Sequence, residues 1–458
     1  MTGGMQRWGV LGGAVAALVL LAGCSGGPSL PKLGDLNPFA EKAVPLPGKR
    51  IPVMQAKETV TGELADASAP IVLPPQQVND SWSQPGGIAN NAPGHLAFNG
   101  AAGVVWSASG GSGSSSDGRV TASPIVYGGY VYVLDAEGAV SAISTSGGSV
   151  AWRVSLKPDR ENASPGWFSL SLGSSAEGGY GGGLAIDNGR LYAASGFGNV
   201  VALDPQSGKK IWEKQLEAPI RASPTAAGDR VFVVTLDGRF YCLAGADGGE
   251  LWAARGLPQQ ASLINNASPA VEGGTVVVPY PSGDLVALNV NDGGLQWQES
   301  LSRTRTTSQL TSMSDTARPA IEQGVVFAIG HAGRMVATKI DTGERLWQLN
   351  IPSTQQPWVA GGSVFVVDTE GQLIAINKGD GKLQWTTKLP GATSWSGPTL
   401  AGGTLWLASD KGNLVGVEAQ TGRLTVQKEI GSPVYVAPVV AQGRMYILTD
   451  SAKLIALN

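Results

Sequence analysis

Cysteine and histidine, the side chains that most often perform thiol or metal chemistry, are scarce in this sequence. It contains two cysteines, Cys24 and Cys242, and two histidines, His95 and His331, with neither a CxxC nor an HExxH spacing. Structural and catalytic zinc sites need three or four clustered ligands, and c-type haem needs CxxCH. The inventory therefore excludes a disulfide scaffold, a three-histidine zinc site and covalent haem. No metal and no cofactor are expected, and Cys242 is predicted to be a small buried side chain rather than a nucleophile.

Cys24 is the residue for which a specific modification is predicted. Arg7 precedes an apolar run over residues 8–21, which ends in Leu21-Ala22-Gly23-Cys24. At about 1.5 Å per residue this run is too short to cross a hydrocarbon core of about 30 Å, so it is typical of a secretory signal. The Leu-Ala-Gly-Cys run resembles the lipobox of bacterial lipoproteins, in which the cysteine thiol is diacylated, the signal is cut before the cysteine and the new amino terminus is acylated. A secreted protein whose signal happens to contain a cysteine is the alternative.

The resemblance to lipoproteins divides the amino-terminal part of the chain in two. Residues 1–23 form the predicted signal peptide, and residues 24–77 form a lipidated amino terminus with a disordered tether. The tether is rich in proline and shows neither strand nor helix periodicity. Ser25 stands where an aspartate would favour retention in the inner membrane, so the resemblance implies an outer-membrane location facing the periplasm, reached through the lipid anchor.

Internal repeats dominate the rest of the chain. A proline or its equivalent precedes an apolar strand residue by seven positions, at Pro124, Leu184, Pro224, Pro269, Pro319, Pro357, Pro398 and Pro438. A tryptophan closes six units, at Trp152, Trp212, Trp252, Trp297, Trp347 and Trp385, and Val426 takes its place in the seventh. Each unit contains four short alternating runs separated by turn pairs such as Asp237-Gly238, a pattern that predicts four antiparallel strands.

The last unit stops at Asn458 without its fourth strand, whereas a strand with no unit of its own stands at 103–108. Residues 103–458 divide into eight units of about 45 residues, the length of a four-stranded propeller blade. The sequence therefore predicts an all-β fold over residues 78–458. It is an eight-bladed β-propeller whose last blade is completed by an amino-terminal strand. A linear solenoid is the alternative, but it would need capping units.

Composition and charge support this fold and exclude one class of partner. Glycine accounts for 65 of 458 residues, as expected for many tight turns. The formal net charge is −3 and the isoelectric point is about 5.6. A nucleic-acid partner is therefore not expected, because binding to phosphates requires a basic surface.

The blade endings carry a resemblance to a superfamily. Segments such as Asp341-Thr342-Gly343-Glu344-Arg345-Leu346-Trp347 and Asp380-Gly381-Lys382-Leu383-Gln384-Trp385 resemble the blade motif of pyrroloquinoline-quinone-like propellers. Some members of that superfamily are quinoprotein dehydrogenases and others only bind proteins. The enzymes share an adjacent Cys-Cys disulfide, a calcium held by carboxylates and often CxxCH, and this chain lacks adjacent cysteines and CxxCH.

The chain resembles the BamB family of outer-membrane lipoproteins in a combination of four features. These are the lipobox, the tether, eight such blades and the segment leading towards the first strand, Trp82-Ser83-Gln84-Pro85-Gly86-Gly87. The resemblance implies a non-enzymatic scaffold of the β-barrel assembly machinery. Such a scaffold binds the periplasmic POTRA domains of BamA, contacts other Bam subunits and assists delivery of unfolded outer-membrane proteins. A periplasmic quinoprotein dehydrogenase and a propeller that binds cell-wall glycan are the alternatives.

Long connections between blades are the predicted partner site, since binding residues often lie on loops held by a rigid scaffold. Two such connections combine apolar and charged residues typical of protein interfaces, and the family resemblance places BamA contact in both. The predicted partner-binding residues are Leu257, Leu263, Ile264, Arg303, Arg305, Asp315 and Arg318. The family pattern has arginine where Ile264 stands and aspartate where Ala317 stands. A third long connection, 157–182, is interpreted as either a further contact or a disordered insertion.

Overall fold

Eight four-stranded antiparallel sheets make up the described part of the chain. The computed structural model describes residues 70–158, 181–256, 267–280, 282–301 and 316–458. Each sheet is one blade, and seven blades take their strands in chain order. The first strands of neighbouring blades contact one another, so they are the innermost strands and surround a central hub. The predicted eight-bladed propeller is confirmed.

The strands of each blade are given from the hub outwards. Blades 1 and 2 contain β2 Ile125–Tyr127, β3 Tyr130–Leu134, β4 Ala139–Ser144 and β5 Val150–Ser155, then β6 Gly182–Asp187, β7 Arg190–Ser195, β8 Asn199–Leu203 and β9 Lys210–Gln215. Blades 3 and 4 contain β10 Thr225–Ala227, β11 Arg230–Val234, β12 Arg239–Ala244 and β13 Glu250–Arg255, then β14 Ala270–Glu272, β15 Thr275–Pro279, β16 Asp284–Asn289 and β17 Leu295–Ser300.

The second half of the ring repeats the same order. Blades 5 and 6 contain β18 Ala320–Glu322, β19 Val325–Ile329, β20 Arg334–Lys339 and β21 Arg345–Asn350, then β22 Trp358–Ala360, β23 Ser363–Val367, β24 Gln372–Asn377 and β25 Leu383–Lys388. Blades 7 and 8 contain β26 Thr399–Ala401, β27 Thr404–Ala408, β28 Asn413–Glu418 and β29 Leu424–Glu429, then β30 Val439–Ala441, β31 Arg444–Leu448, β32 Lys453–Leu457 and, from the amino-terminal side, β1 Val104–Ser109.

Burial explains the composition of the strands. The middle strands β3 and β11 are buried at four of five positions, because both faces of each blade pack against a neighbouring blade. Such strands consist largely of continuous Val, Ile, Leu and aromatic residues. The outermost strands β5 and β13 instead alternate exposed and partly buried residues, since one edge faces solvent.

The amino-terminal strand β1 closes the ring. It pairs antiparallel with β32, with Trp106 opposite Ala456. Beyond the ladder, Gly103 and Asn458 exchange two backbone hydrogen bonds of 2.8 and 2.9 Å. Gly100 lies so close to Asn458 that a β-carbon at this position would overlap its backbone. The predicted closure is therefore confirmed, and it pairs the otherwise open outer edge of β32.

The repeated tryptophans join consecutive blades. Each indole Nε1 donates a hydrogen bond of 2.6–3.1 Å to a carbonyl in the next blade, the pairs being Trp106–Thr145, Trp152–Pro205, Trp212–Gly245, Trp252–Val290, Trp297–Ile340, Trp347–Lys378 and Trp385–Ala419. The ring packs on a left-handed glycine of that blade, for example Trp212 on Gly248, whose φ is 74°. These tryptophans are structural, as their positions in the repeat predict.

A segment before the first strand crosses the hub. Residues 77–96, the hub segment, make polar contacts with every blade rather than simply leading into β1. The contacts of 2.7–3.2 Å pair Trp82 with Val126, Gln84 with Ile186 and Ala226, Ala89 with Val271, Asn90 with Ile321, Gly94 with Trp358, Leu96 with Leu400 and Asn79 with Val440. The eight innermost strands are thus tied together by one stretch of chain.

Residues 70–77, assigned to the tether from sequence, pack against the ring. Ile71 is 3% exposed. His95 links this stretch to blade 7, because its Nδ1 bonds to the Pro74 carbonyl at 2.7 Å and its Nε2 accepts from the Gly403 amide at 2.9 Å. The ring-associated part of the chain therefore begins at least eight residues before the boundary predicted at residue 78.

Candidate functional site

One face of the ring carries all the connections from the outermost strand of one blade to the innermost strand of the next. We call it the loop face. The two connections predicted to bind a partner run from β13 to β14 and from β17 to β18. The first connection therefore leads into blade 4, and the second leads from blade 4 to blade 5. Antiparallel blade topology alone brings the described ends of these two connections to the same face, next to the same blade.

Most of the predicted site residues fall in parts of the chain that are not described. Cys24 precedes residue 70, and the long connection at 157–182 also lies almost wholly outside the described residues. Within the two connections beside blade 4, the residues outside the described ranges are Leu257, Leu263, Ile264, Arg303, Arg305 and Asp315. Their assignment to a partner surface stays a prediction.

Arg318 is the one predicted site residue that the structure describes, and it lies at the hub end of its connection. It comes shortly before the innermost strand β18. Its Nη1 donates to the Pro85 carbonyl of the hub segment at 3.3 Å. Burial lowers the pKa of Arg318 to about 10, so the guanidinium is still charged at neutral pH. Its place in a partner interface remains a prediction.

A central cavity of about 560 Å³ occupies the hub. Its walls come mainly from the stretches that precede the innermost strands of blades 1, 6, 7 and 8, so it belongs to the loop-face side. The hub segment contributes Trp82 and Pro85, and Arg318 completes the lining near them. The indole rings of Trp82 and Trp358 stack with centroids 6.2 Å apart. The cavity therefore combines an aromatic pair with a cationic side chain.

The rim of the cavity carries the remaining ionisable groups. Burial, together with the charges of Asp450 and Asp410, raises the pKa of Tyr435. The Asp450 carboxylate accepts a hydrogen bond from the Ser114 hydroxyl, and the exposed Arg119 lies at the same rim. Among the described residues that line the cavity, Asp450 is the single carboxylate.

This lining does not fit the calcium-held quinone that dehydrogenases of the same superfamily carry. Calcium takes six to eight oxygen ligands, several of them carboxylates. The described lining offers one carboxylate, which is already bonded to Ser114. No group of three His, Cys, Asp or Glu side chains suited to a metal occurs within the described ranges.

Sequence reasoning missed the hub segment and the central cavity. Gln84 is 3% exposed, and its amide donates to the carbonyls of Ile186 and Ala226 at 3.0 and 2.8 Å. Asn91 is fully buried and donates to the Pro319 carbonyl at 2.9 Å. Polar amides outside any periodic run are usual in loops, so nothing local marks them as buried. The available signals were Trp82 and Leu96, large apolar side chains outside the repeats.

The structure places the other singled-out residues as expected. Cys242 is buried in β12 and free of disulfide bonding, and burial raises the pKa of its thiol to about 12. His331 lies in the turn between β19 and β20. The described part of the chain contains no helix long and apolar enough to cross a bilayer.

Comparison with protein families gives one match that covers most of the chain. The model of the family described as outer membrane protein assembly factor BamB matches residues 88–174, 159–387 and 374–458. A relative with that name from Burkholderia pseudomallei is 30% identical over 200 residues, which are 43% of this chain and 46% of the relative. The matched segment thus spans about half the length of this curated relative.

Solved structures show the same fold at low identity. The crystal structure of BamB from Moraxella catarrhalis matches with a TM-score of 0.65 and 18% identity, covering 78% of this chain and 99% of that one. A quinohemoprotein alcohol dehydrogenase from Comamonas testosteroni matches with a TM-score of 0.63 and 14% identity, covering 82% of this chain and 80% of that one. Both matches concern the fold alone.

Proposed function

Because the chain belongs to the family of outer membrane protein assembly factor BamB, a family of pyrroloquinoline-quinone-like propellers, we propose that it is a non-enzymatic scaffold of the machinery that assembles outer-membrane proteins. It is held at the periplasmic side of the outer membrane through acylated Cys24. It binds the POTRA domains of BamA, contacts other Bam subunits and assists the delivery of unfolded outer-membrane proteins.

The position of the two long connections beside blade 4 is the observation that carries the partner site. Both start at the outer edge of a blade, at Arg255 and Ser300, and return to the hub at Ala270 and Ala320. The described ends of the two connections thus flank the same blade on a closed ring, which supports a shared partner surface. Leucine and isoleucine in one connection and arginine in the other are the residue types that supply the apolar centre and the charged contacts of protein interfaces.

Affinity purification from native membranes tests this proposal. Leu263→Asp combined with Asp315→Arg should abolish co-purification of BamA, because it places a charge in the apolar centre and reverses a charge in the other loop. The matched control is Thr393→Arg with Lys411→Glu, which alters charge at exposed positions on the loop face of blade 7. It should leave recovery of BamA unchanged, and both variants should keep the thermal melt of the parent protein.

Unchanged recovery of BamA with the blade 4 variant would refute the site. Failure of the unaltered protein to recover any Bam subunit would refute the proposed function itself.

Dye-linked oxidation of alcohols or sugars tests the rival function, a quinoprotein dehydrogenase. The fold likeness to the Comamonas enzyme is the observation that favours it, and the single carboxylate in the described lining of the cavity opposes it. Protein supplied with pyrroloquinoline quinone and calcium is expected to remain inactive. Turnover that depends on both additions would overturn the proposal of a non-enzymatic scaffold.

A further inference from the structure

Two N–H donors at the central cavity are buried and have no hydrogen-bond partner among the described residues: Nε1 of Trp82 and Nε of Arg318. Both residues line the same cavity. Buried polar groups in native proteins nearly always have a partner, because leaving one without a partner costs the energy of its lost hydration. Nine buried side-chain atoms of the described residues lack a partner, and the two that belong to cavity-lining residues are both donors. Their coincidence at one cavity indicates that an acceptor occupies it when the protein functions.

The other described tryptophans show how an indole N–H is usually bonded in this fold. All seven repeat tryptophans use their indole N–H within the ring, and Trp358, stacked on Trp82, donates to the Gly94 carbonyl at 2.9 Å. Trp82 is 3% exposed, yet its N–H remains unused. Most described indoles are thus satisfied by a carbonyl. Two are not, those of Trp82 and Trp395, and of these Trp82 lines the cavity.

The charge of the cavity identifies the kind of acceptor. Arg318 is cationic at neutral pH, and burial is the one cause that acts on its pKa, with no described carboxylate raising it. Its Nη1 bond to Pro85 is long, at 3.3 Å, and leaves other guanidinium donors for a ligand. A guanidinium pairs best with the two oxygens of a carboxylate or phosphate.

The size and aromatic lining of the cavity favour an organic carboxylate over inorganic phosphate. About 560 Å³ lies within the range of small-molecule sites, and it far exceeds one phosphate ion. The Trp82–Trp358 pair, Pro398 and Val436 provide apolar surface in the same lining as Arg318. A ligand with an aromatic or aliphatic body and a carboxylate would contact both the apolar surface and Arg318.

We propose that the central cavity binds an organic carboxylate, whose oxygens accept hydrogen bonds from Arg318 and from the indole N–H of Trp82 and whose apolar body packs beside Trp358. The site lies on the loop-face side of the ring, and the hub segment contributes Trp82 and Pro85 to its lining. This inference goes beyond the scaffold function and does not depend on it. The carboxylate has two sources, a small molecule or the carboxyl terminus of a polypeptide.

Calorimetric titration of the full-length, detergent-solubilised protein tests the proposal with two probes that differ only in the charged group. N-acetylphenylalanine is expected to bind, and N-acetylphenylalaninamide is expected to bind at least tenfold more weakly. Arg318→Gln should weaken binding of the acid at least tenfold, and Trp82→Phe should weaken it by a smaller factor. The control Lys411→Gln, at an exposed position outside the cavity lining, should change it less than twofold.

A second pair of probes identifies the source of the carboxylate. If a short amino-acetylated peptide ending in phenylalanine binds more tightly with a free carboxyl terminus than N-acetylphenylalanine does, the ligand is a chain terminus. If the peptide binds more weakly, the ligand is a small molecule, and either result supports the site. Equal binding of acid and amide, no binding of either, or full binding by Arg318→Gln with an unchanged thermal melt would overturn the proposal.

Discussion

At the scale of single residues, polar side chains buried at the hub hold the ring together. Gln84 donates to carbonyls in blades 2 and 3, and its Oε1 accepts from the Ala226 amide at 3.0 Å. His95 uses one ring nitrogen as a donor and the other as an acceptor, so its neutral form carries the proton on Nδ1. Side chains that look ordinary in the sequence therefore join parts of the chain that are far apart.

Replacing Gln84 with alanine is expected to lower the free energy of unfolding by about 3 kcal/mol, because it leaves two carbonyls and one amide N–H buried without partners. Urea unfolding followed by fluorescence measures this. The matched control is Gln76→Ala, at an exposed position just before the hub segment, with an expected change below about 0.5 kcal/mol. Equal stability of the two variants would show that the hub segment does not brace the ring.

The thiol of Cys242 is expected to be inert in the folded protein. Burial raises its pKa to about 12, so at pH 8 the reactive thiolate is scarce and the sulfur is also inaccessible. A disulfide reagent should label it at least 100-fold more slowly in buffer than in denaturing urea, with Cys24 acylated or replaced by serine. Rapid labelling in buffer would contradict the buried placement of β12.

At the scale of elements, each blade is joined to the next by the tryptophan on its outermost strand. The repeat supplies this donor in blades 1 to 6 and, through Trp106 of β1, in blade 8. Blade 7 carries Val426 instead. The Lys428 side chain there donates to the Ala102 carbonyl, across the junction with blade 8. The position without tryptophan therefore has a different contact, beside the point where the ring closes.

Removing one indole donor should cost little, because each junction also has its apolar packing. Trp252→Phe loses the bond to the Val290 carbonyl and is expected to lower the free energy of unfolding by about 1–2 kcal/mol. Trp252→Ala, which also removes the packing, should cost about 3–5 kcal/mol. Chemical denaturation of both variants checks the difference. Equal losses would mean that the hydrogen bond contributes and the packing does not.

The strands and their order were predictable from sequence, whereas the hub was not. The repeats provide eight copies of one pattern. The role of a residue such as Trp252 can therefore be inferred from the equivalent positions in the other seven units. The hub segment occurs once and has no period. Its conformation is set by polar groups from all eight blades, among them the carbonyls to which Gln84 and Asn91 donate. Arg318 was predicted from its loop, but its contact with Pro85 depends on that same long-range arrangement.

At the scale of the whole molecule, stability depends on joining the two ends of the chain. The strand β32 lies between β31 and β1, and Leu454, Ala456 and Leu457 are fully buried. A four-stranded sheet at the end of an open stack would expose an apolar face and an unpaired edge. Closure is thus what makes eight marginal sheets one body, which fixes the described ends of the two connections beside blade 4, Arg255, Ala270, Ser300 and Ala320.

Ending the chain at residue 452 should abolish cooperative thermal unfolding or lower the melting temperature by more than 10 °C, because it removes β32 from the closing blade. Lys453→Ala, at an exposed position on the same strand, is the control and should melt like the parent protein. A shortened chain with an unchanged, cooperative melt would contradict the role of closure.

Photo-crosslinking in living cells is the most direct test of the central claim, that this closed ring is a scaffold whose loop face beside blade 4 meets BamA. A photoreactive amino acid at Leu263 or Arg305 is expected to crosslink to the POTRA domains of BamA, and the same residue at Lys411, on blade 7, is expected not to. Crosslinks to BamA from Lys411 but from neither loop residue, or none from any of the three positions, would contradict the account.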